Sequence, residues 1–187
     1  MLLLMLMLMN SPATPAEQLW EKIRGEPNVV LFMRHADAAT EPGEALQRDE
    51  SGKCEGEAQL SEDGKNHARY VGVRFAARGI EPVVVSSPTC RCQETAMLAF
   101  GGSVVTDSLL RKIPTPDDPQ SSDFARKTRS FIATQQGKQG KVPLVLISHA
   151  ANIALLTHES VTALEAVVGM ANAAGEVQVL GKVNLTD

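Results

Sequence analysis

The stretch VVLFMRHADA, residues 29–38, holds the reading on which the fold turns. Val29 to Met33 are apolar at every position rather than at every second one. Such a strand is buried on both faces, as parallel strands between layers of helices are. The run then stops abruptly at Arg34-His35. Taken alone, a charged pair marks where a strand meets water. Its position gives it a second meaning, because in open α/β sheets ligands bind in the crevice beyond the carboxyl ends of the strands.

Two more runs of the same kind follow, PVVVSS (82–87) and PLVLIS (143–148), the latter stopping at His149. Helical patterns fill the spaces between. Thr14-Pro15-Ala16-Glu17 is a capping box with proline at the first helical position, opening a helix with Leu19, Trp20 and Ile23 that closes at Gly25. From Ser61 the spacing of Ala68, Val71 and Phe75 predicts a helix ending near Gly79. Ser87 as cap and Pro88 in the first turn predict another, running to about Ala99. Phe124, Thr128, Phe131 and Ile132 predict a third, ending at Gly137, and a weaker pattern covers roughly 152–168. Val104-Val105 reads as a short strand and EVQVL (176–180) as a final one. Residues 37–59, with glycines at 43, 52 and 56, read as a long loop, and 114–121 as a loop rich in proline and aspartate. The alternation implies an α/β protein, a three-layer α/β/α sandwich with a mostly parallel sheet.

Composition narrows the class. The chain has 187 residues, 43% hydrophobic and 21% charged, which suits one domain with a sizeable core. Net charge is −4 and the 18 basic residues are scattered, so no concentrated basic surface for nucleic acid is expected. Residues 1–9, MLLLMLMLM, are wholly apolar, too few to cross a bilayer but of the length of a signal-peptide core. Ala13 in SPA and Ala16 in TPA are candidate cleavage points, although no Lys or Arg precedes the apolar run. The expected organisation is therefore a signal peptide or disordered leader over 1–13 and one domain over 14–187, periplasmic or secreted, with the cytoplasm as the alternative. Three cysteines, Cys54, Cys90 and Cys92, leave open one bridge with a free thiol or three buried thiols. No zinc-ligand spacing is present.

The chemistry lies where the three buried strands end. The first ends at Arg34-His35, the second at Ser86-Ser87-Pro88 with Arg91 one helical turn on, the third at Ser148-His149. If the strands are parallel neighbours, two imidazoles and two guanidinium groups converge at one sheet edge. A helix N-terminus near Pro88 would add N–H donors. A cationic pocket with forked donors suits a tetrahedral dianion such as phosphate. His67 and His158 lie outside this pattern and read as surface histidines, and Trp20 as a packing anchor.

RHADA, SSPTCRCQETA and ISHAANI resemble the three signatures of the histidine phosphatase superfamily, the phosphoglycerate mutase-like fold. LSEDGKNHARYVGVRFAARGI is similar to the family's helix between the first two. The resemblance covers roughly residues 27–180, and Cys90-Arg91-Cys92, the cysteine ahead of the LS helix and Asn152 are similar to a bacterial, periplasmic branch related to lipopolysaccharide core heptose phosphate phosphatases. It implies a metal-independent phosphatase that needs no cofactor and acts on a phosphorylated small molecule. His35 would be the nucleophile that becomes a phosphohistidine. Arg34 and Arg91 would grip the equatorial oxygens, and His149 would donate a further hydrogen bond. A carboxylate protonating the leaving group is sought among Asp117, Asp118, Glu44, Asp49 and Glu50. Without one, the expected substrate has an easier leaving group, as in a phosphohistidine protein. A non-catalytic phosphate-binding module is the alternative outside enzymes.

Overall fold

In the computed structural model, residues 13–39, 58–102, 104–113, 117–135, 137–138 and 140–187 are described. Six strands form one sheet: β1 (Val29–Arg34), β2 (Val83–Ser86), β3 (Val105–Thr106), β4 (Leu144–Ser148), β5 (Glu165–Ala171) and β6 (Val177–Asn184). Their order across the sheet is β3-β2-β4-β1-β5-β6. The four strands from β3 to β1 run parallel, and β5 and β6 are antiparallel additions.

Strict alternation along the central strands separates two cores. Val29, Leu31 and Met33 of β1 and Val145 and Ile147 of β4 pack on one side. They meet α1 (Pro15–Gly25), α2 (Glu62–Ala76) and α3 (Cys90–Phe100) through Ile23, Phe75 and Ala96, among others. Val30, Phe32, Leu144 and Leu146 point the other way, toward α4 (Gln120–Gln135) and α5 (Ala150–Thr157) through Ile132 and Ile153. Both faces are thus covered, which is why β1 and β4 are apolar without interruption. Three layers and a largely parallel sheet match the sequence-based expectation.

The helix boundaries follow local chemistry. Thr14 and Glu17 form the expected reciprocal capping box ahead of α1. Ser61 caps α2 through the Gly64 N–H. Trp20 is buried and meets Phe75 edge-on at 5.1 Å, so it is the anchor its position implied. Gly72 lets α2 approach α3, since a Cβ there would lie 2.0 Å from the Ala99 carbonyl oxygen.

Two expectations fail. The helix expected over 152–168 stops at Thr157, where His158 adopts a left-handed conformation (φ 61°), and the chain returns as β5. That strand pairs with β1 along its length, with Phe32 opposite Val167. The helix expected from Ser87 and Pro88 begins two residues later, at Cys90 with Thr89 as N-cap. Ser87 has another use, given below. The final strand is also longer than the EVQVL segment.

The parallel register fixes what matters. Arg34 pairs with Ser148 and Ser86 with Ile147, so β1, β2 and β4 end level with one another. Cross-strand bonds continue one residue further, from His35 N to Ser148 O (3.2 Å) and from Ser87 N to Ile147 O (2.8 Å).

Candidate active site

His35, Ser87 and His149 therefore emerge side by side beyond the carboxyl ends of three adjacent strands. Arg91 reaches them from the first turn of α3. Its Nε donates to His35 Nε2 at 3.0 Å, and its Nη2 donates to His149 Nδ1 at 3.2 Å. One guanidinium thus bridges both imidazoles, whose centroids are 5.5 Å apart.

Guanidinium nitrogens only donate and carbonyl oxygens only accept, so these contacts assign both tautomers. His35 Nδ1–H donates to the Ala36 carbonyl at 2.7 Å, leaving the Nε2 lone pair toward Arg91. His149 is the opposite tautomer. Its Nδ1 accepts from Arg91 and its Nε2–H donates to Ser87 Oγ at 3.1 Å. Ser87, which read as a helix cap, instead orients the second imidazole.

Both rings are buried, with 8% of His35 and 3% of His149 exposed, and both are held neutral. Burial is the largest cause, with the charges of Arg91, Arg34 and Lys112 adding to it. Together they bring His35 down to about 3 despite the opposing bond to Ala36. For His149, burial comes first and the neighbouring His35 second, with Arg91, Lys112 and Arg34 following, giving about 2. The arginines lower both values, but desolvation outweighs them.

Linkage turns this into a stability statement. Each imidazole has a folded value below its ordinary 6.5, so the unfolded chain binds protons that the folded one refuses. The contribution is whole above pH 6.5 and falls by about 1.4 kcal/mol per pH unit for each ring as pH drops toward 3. Denaturant titrations at pH 7 and 5 should differ by roughly 3–4 kcal/mol, and His35→Gln/His149→Gln should flatten the difference. Equal slopes in both proteins would mean the rings titrate normally.

Arg34 is arranged differently from Arg91. It is half-buried and its Nη1 donates to the Val161 carbonyl at 3.3 Å, with no hydrogen bond to either imidazole. Its charge still acts on both rings. The four expected residues thus gather at one place, and Arg91 alone makes the direct connections.

Three contributors escaped sequence reading. Thr95, fully buried, donates to the Arg91 carbonyl at 2.7 Å and accepts from the Ala36 N–H at 3.0 Å. It ties the arginine helix to the backbone after His35, and its one signal is its place one turn after Arg91. Thr95→Val leaves the buried Ala36 N–H unpaired and is expected to cost about 1–3 kcal/mol. As a positioning residue it should lower kcat more than it raises KM, with Thr95→Ser restoring most of the loss. An unchanged kcat in a folded Thr95→Val protein would remove this role. Lys112 has no local signal at all. Asn152, noticed only for a family likeness, accepts from Ile113 N (3.1 Å) and donates to Leu110 O (3.2 Å) and Arg111 O (2.8 Å).

The carboxylate candidates are not gathered in the same way. Asp118 accepts from Gln120 N at 2.7 Å at the start of α4, and Asp117 is exposed. Glu44, Asp49 and Glu50 lie outside the described residues. Cys90 is disulfide-bonded and Cys92 is buried and outside any disulfide, with Cys54 outside the described residues. His67 and His158 are exposed, as expected. Among the described residues no group of three or more His, Cys, Asp or Glu is placed to hold a metal ion, and no helix is long and apolar enough to cross a membrane.

Comparison with known proteins bears on the fold. No curated protein matches the sequence significantly. Among solved structures, the protein histidine phosphatase SixA complexed with tungstate shares 16% identity at a TM-score of 0.59, over 84% of this chain and 97% of that one. Phosphoserine phosphatase from Entamoeba histolytica, in complex with 3-phosphoglyceric acid, shares 14% at 0.62, over 82% and 95%. Mycobacterial glucosyl-3-phosphoglycerate phosphatase shares 17% at 0.59, over 82% and 97%. At these identities the likeness is one of fold. Residues 30–118, which include Arg34, His35 and Arg91 but not His149, match the family model described as histidine phosphatase superfamily (branch 1). That sequence match spans 89 of the 187 residues, so the likeness to the histidine phosphatase superfamily is one of this stretch and of the shared fold.

Proposed function

We propose that the protein hydrolyses phosphate monoesters through a covalent phosphohistidine on His35. The observation that carries this reading is the locked tautomer. His35 Nδ1–H is held by the Ala36 carbonyl, so the Nε2 lone pair projects to the strand-end crevice beside Arg91. A neutral, oriented imidazole is a nucleophile at ordinary pH. Attack of Nε2 on phosphorus forms the N–P bond as the bond to the leaving oxygen breaks. Water then attacks the phosphohistidine and releases inorganic phosphate.

Arg91 does the electrostatic work. Two of its N–H groups are spent on the two imidazoles. An anion entering between the rings draws them onto its oxygens, adding charge-assisted bonds as negative charge spreads in the transition state. Arg34 adds positive charge from the last position of β1, whereas the expected donation from His149 is not met by its tautomer, whose Nε2–H is held by Ser87 and whose Nδ1 accepts from Arg91. Among the described residues the proton for a poor leaving group is assigned to neither Asp118, which accepts from Gln120 N, nor Asp117, which is exposed, and Glu44, Asp49 and Glu50 lie outside them.

A sugar phosphate is the substrate class favoured by the likeness of Cys90-Arg91-Cys92 and Asn152 to the heptose phosphate branch. A second reading is a phosphohistidine protein, whose N–P bond needs less help, since among the described residues neither Asp117, which is exposed, nor Asp118, which accepts from Gln120 N, is tied to the imidazole pair. The test is incubation with labelled phosphate esters and with a phosphohistidine peptide, followed by an alkaline quench. Alkali-stable, acid-labile label on wild type but not on His35→Ala supports the mechanism. Turnover with no labelled enzyme overturns it, and the better donor chooses between the readings.

An oxidising compartment is also proposed, because Cys90 is disulfide-bonded and the apolar leader has signal-peptide length. Cleavage after Ala13 keeps the Thr14–Glu17 capping box, whereas cleavage after Ala16 destroys it. N-terminal sequencing of exported protein should therefore begin at Thr14, and a start at Met1 would argue for the cytoplasm.

A further inference from the structure

Arg91 is followed in α3 by Cys92, a side chain that the mechanism above leaves unused. Cys92 is fully buried and lies outside any disulfide. Its Sγ is 3.8 Å from His149 Nε2 and donates to the Ser148 carbonyl, also at 3.8 Å. Two consecutive residues of one helix therefore reach both nitrogens of the second imidazole, Arg91 at Nδ1 and Cys92 at Nε2. A buried thiol ordinarily behaves as a small hydrophobe, and packing alone would account for its burial. Packing does not account for a sulfur within hydrogen-bond reach of two polar groups at the strand end that carries His149.

The direction of these bonds follows from where the protons are. A thiol has one to give. Ser148 O accepts it, and the same carbonyl accepts from His35 N at 3.2 Å, so both of its lone pairs are used. The sulfur is left to accept at Nε2. His149 must donate there, because its Nδ1 faces a guanidinium that can only donate. Ser87 Oγ shares this Nε2–H at 3.1 Å, but a hydroxyl can turn. It also lies 3.3 Å from Thr89 Oγ1, with which it can equally give or take a proton. Ser87 is thus compatible with either tautomer of His149. Cys92, with its proton engaged on Ser148, is compatible with one.

We propose that Cys92 is a positioning residue, an acceptor on the His149 Nε2–H that holds the second imidazole in one tautomer and one orientation. Its hold matters most once an anion draws Arg91 off Nδ1, because Ser87 by itself does not choose between the tautomers. Only the effect on rate rests on the phosphatase reading above. The tautomer is a property of the protein without substrate and is measured without turnover.

Removing Arg91 isolates this preference. The test is imidazole nitrogen NMR of the Arg91→Ala protein, alone and combined with Ser87→Ala, Cys92→Ala or Cys92→Val. Spectra are taken at mildly alkaline pH, where the ring is neutral, and the His149 signals are identified by their loss in His149→Gln. Arg91→Ala should keep the Nε2–H tautomer, and adding Ser87→Ala should leave it in place. Adding Cys92→Ala, or Cys92→Val, which fills the space without accepting, should give a mixture of both tautomers. In otherwise wild-type enzyme, Cys92→Val should lower kcat roughly three- to tenfold, the contribution of one ordinary hydrogen bond, with KM changed less. A mixture already present in Arg91→Ala, a mixture that appears with Ser87→Ala, or a single tautomer that survives Cys92→Val overturns the role. The Ser87→Ala arm leaves the sulfur untouched, so it decides the matter even where a Cys92 variant does not fold. Failure of wild type to hydrolyse any ester, with the tautomer still dependent on Cys92, overturns the phosphatase reading and leaves the positioning role standing.

Discussion

Replacing His35 with alanine is expected to remove turnover, by a factor of at least about 10⁴, as loss of a covalent nucleophile does elsewhere. The size follows from the absence of a substitute. His149 is the only other imidazole in the crevice among the described residues, and its ring centroid lies 5.5 Å from that of His35, so it does not stand where the lost nucleophile stood. Its Nε2–H is committed to Ser87 and its Nδ1 lone pair faces Arg91. Phosphate affinity should survive, since the charges of Arg34 and Arg91 remain, so the variant should still bind inorganic phosphate in a calorimeter. Loss of rate with retained binding is the signature of a nucleophile. Loss of both would point to a ring that shapes the pocket, and normal hydrolysis would end the covalent mechanism.

The second large effect is expected at Arg91. Arg91→Lys keeps the charge and should still lower kcat by about 10²–10³, the cost of one preorganised donor. Arg91 uses two different nitrogens on two rings, 3.0 and 3.2 Å away. A lysine ammonium is a single point and cannot span both, nor grip two oxygens as a fork does. The check is kcat for Arg91→Lys and Arg34→Lys side by side. Arg34 has no bond to either imidazole and donates to Val161 O, so its substitution should be the milder one. The reverse order would mean that the anion sits nearer β1 than the bridging geometry implies.

Much of this was legible before any coordinates. Val29–Met33 and Leu144–Ile147 are apolar at consecutive positions, and strands covered on both faces admit little else. Each run ends at a histidine, and parallel register brings those ends level. The capping box at Thr14 and Glu17 is equally local, since its partners are three residues apart. β5 was less legible. Its Glu165–Ala171 segment follows a helical pattern without a strong breaker, and only pairing against β1 and β6 makes it a strand. Ser87 was misread for a related reason. A serine before proline is a plausible cap, and its bond to His149 spans 62 positions of chain.

What the sequence by itself determined, then, is the layered α/β architecture and the identity of the residues at three strand ends. Hydrophobic periodicity and capping act over a few residues, so they can be read from neighbours along the chain. Tertiary structure alone decided the tautomers of the two histidines, the separate duties of Arg34 and Arg91, and the clamp made by Thr95. Each of these depends on distances between groups dozens of residues apart and on burial that strips water from imidazoles. Neither quantity exists until the sheet has closed.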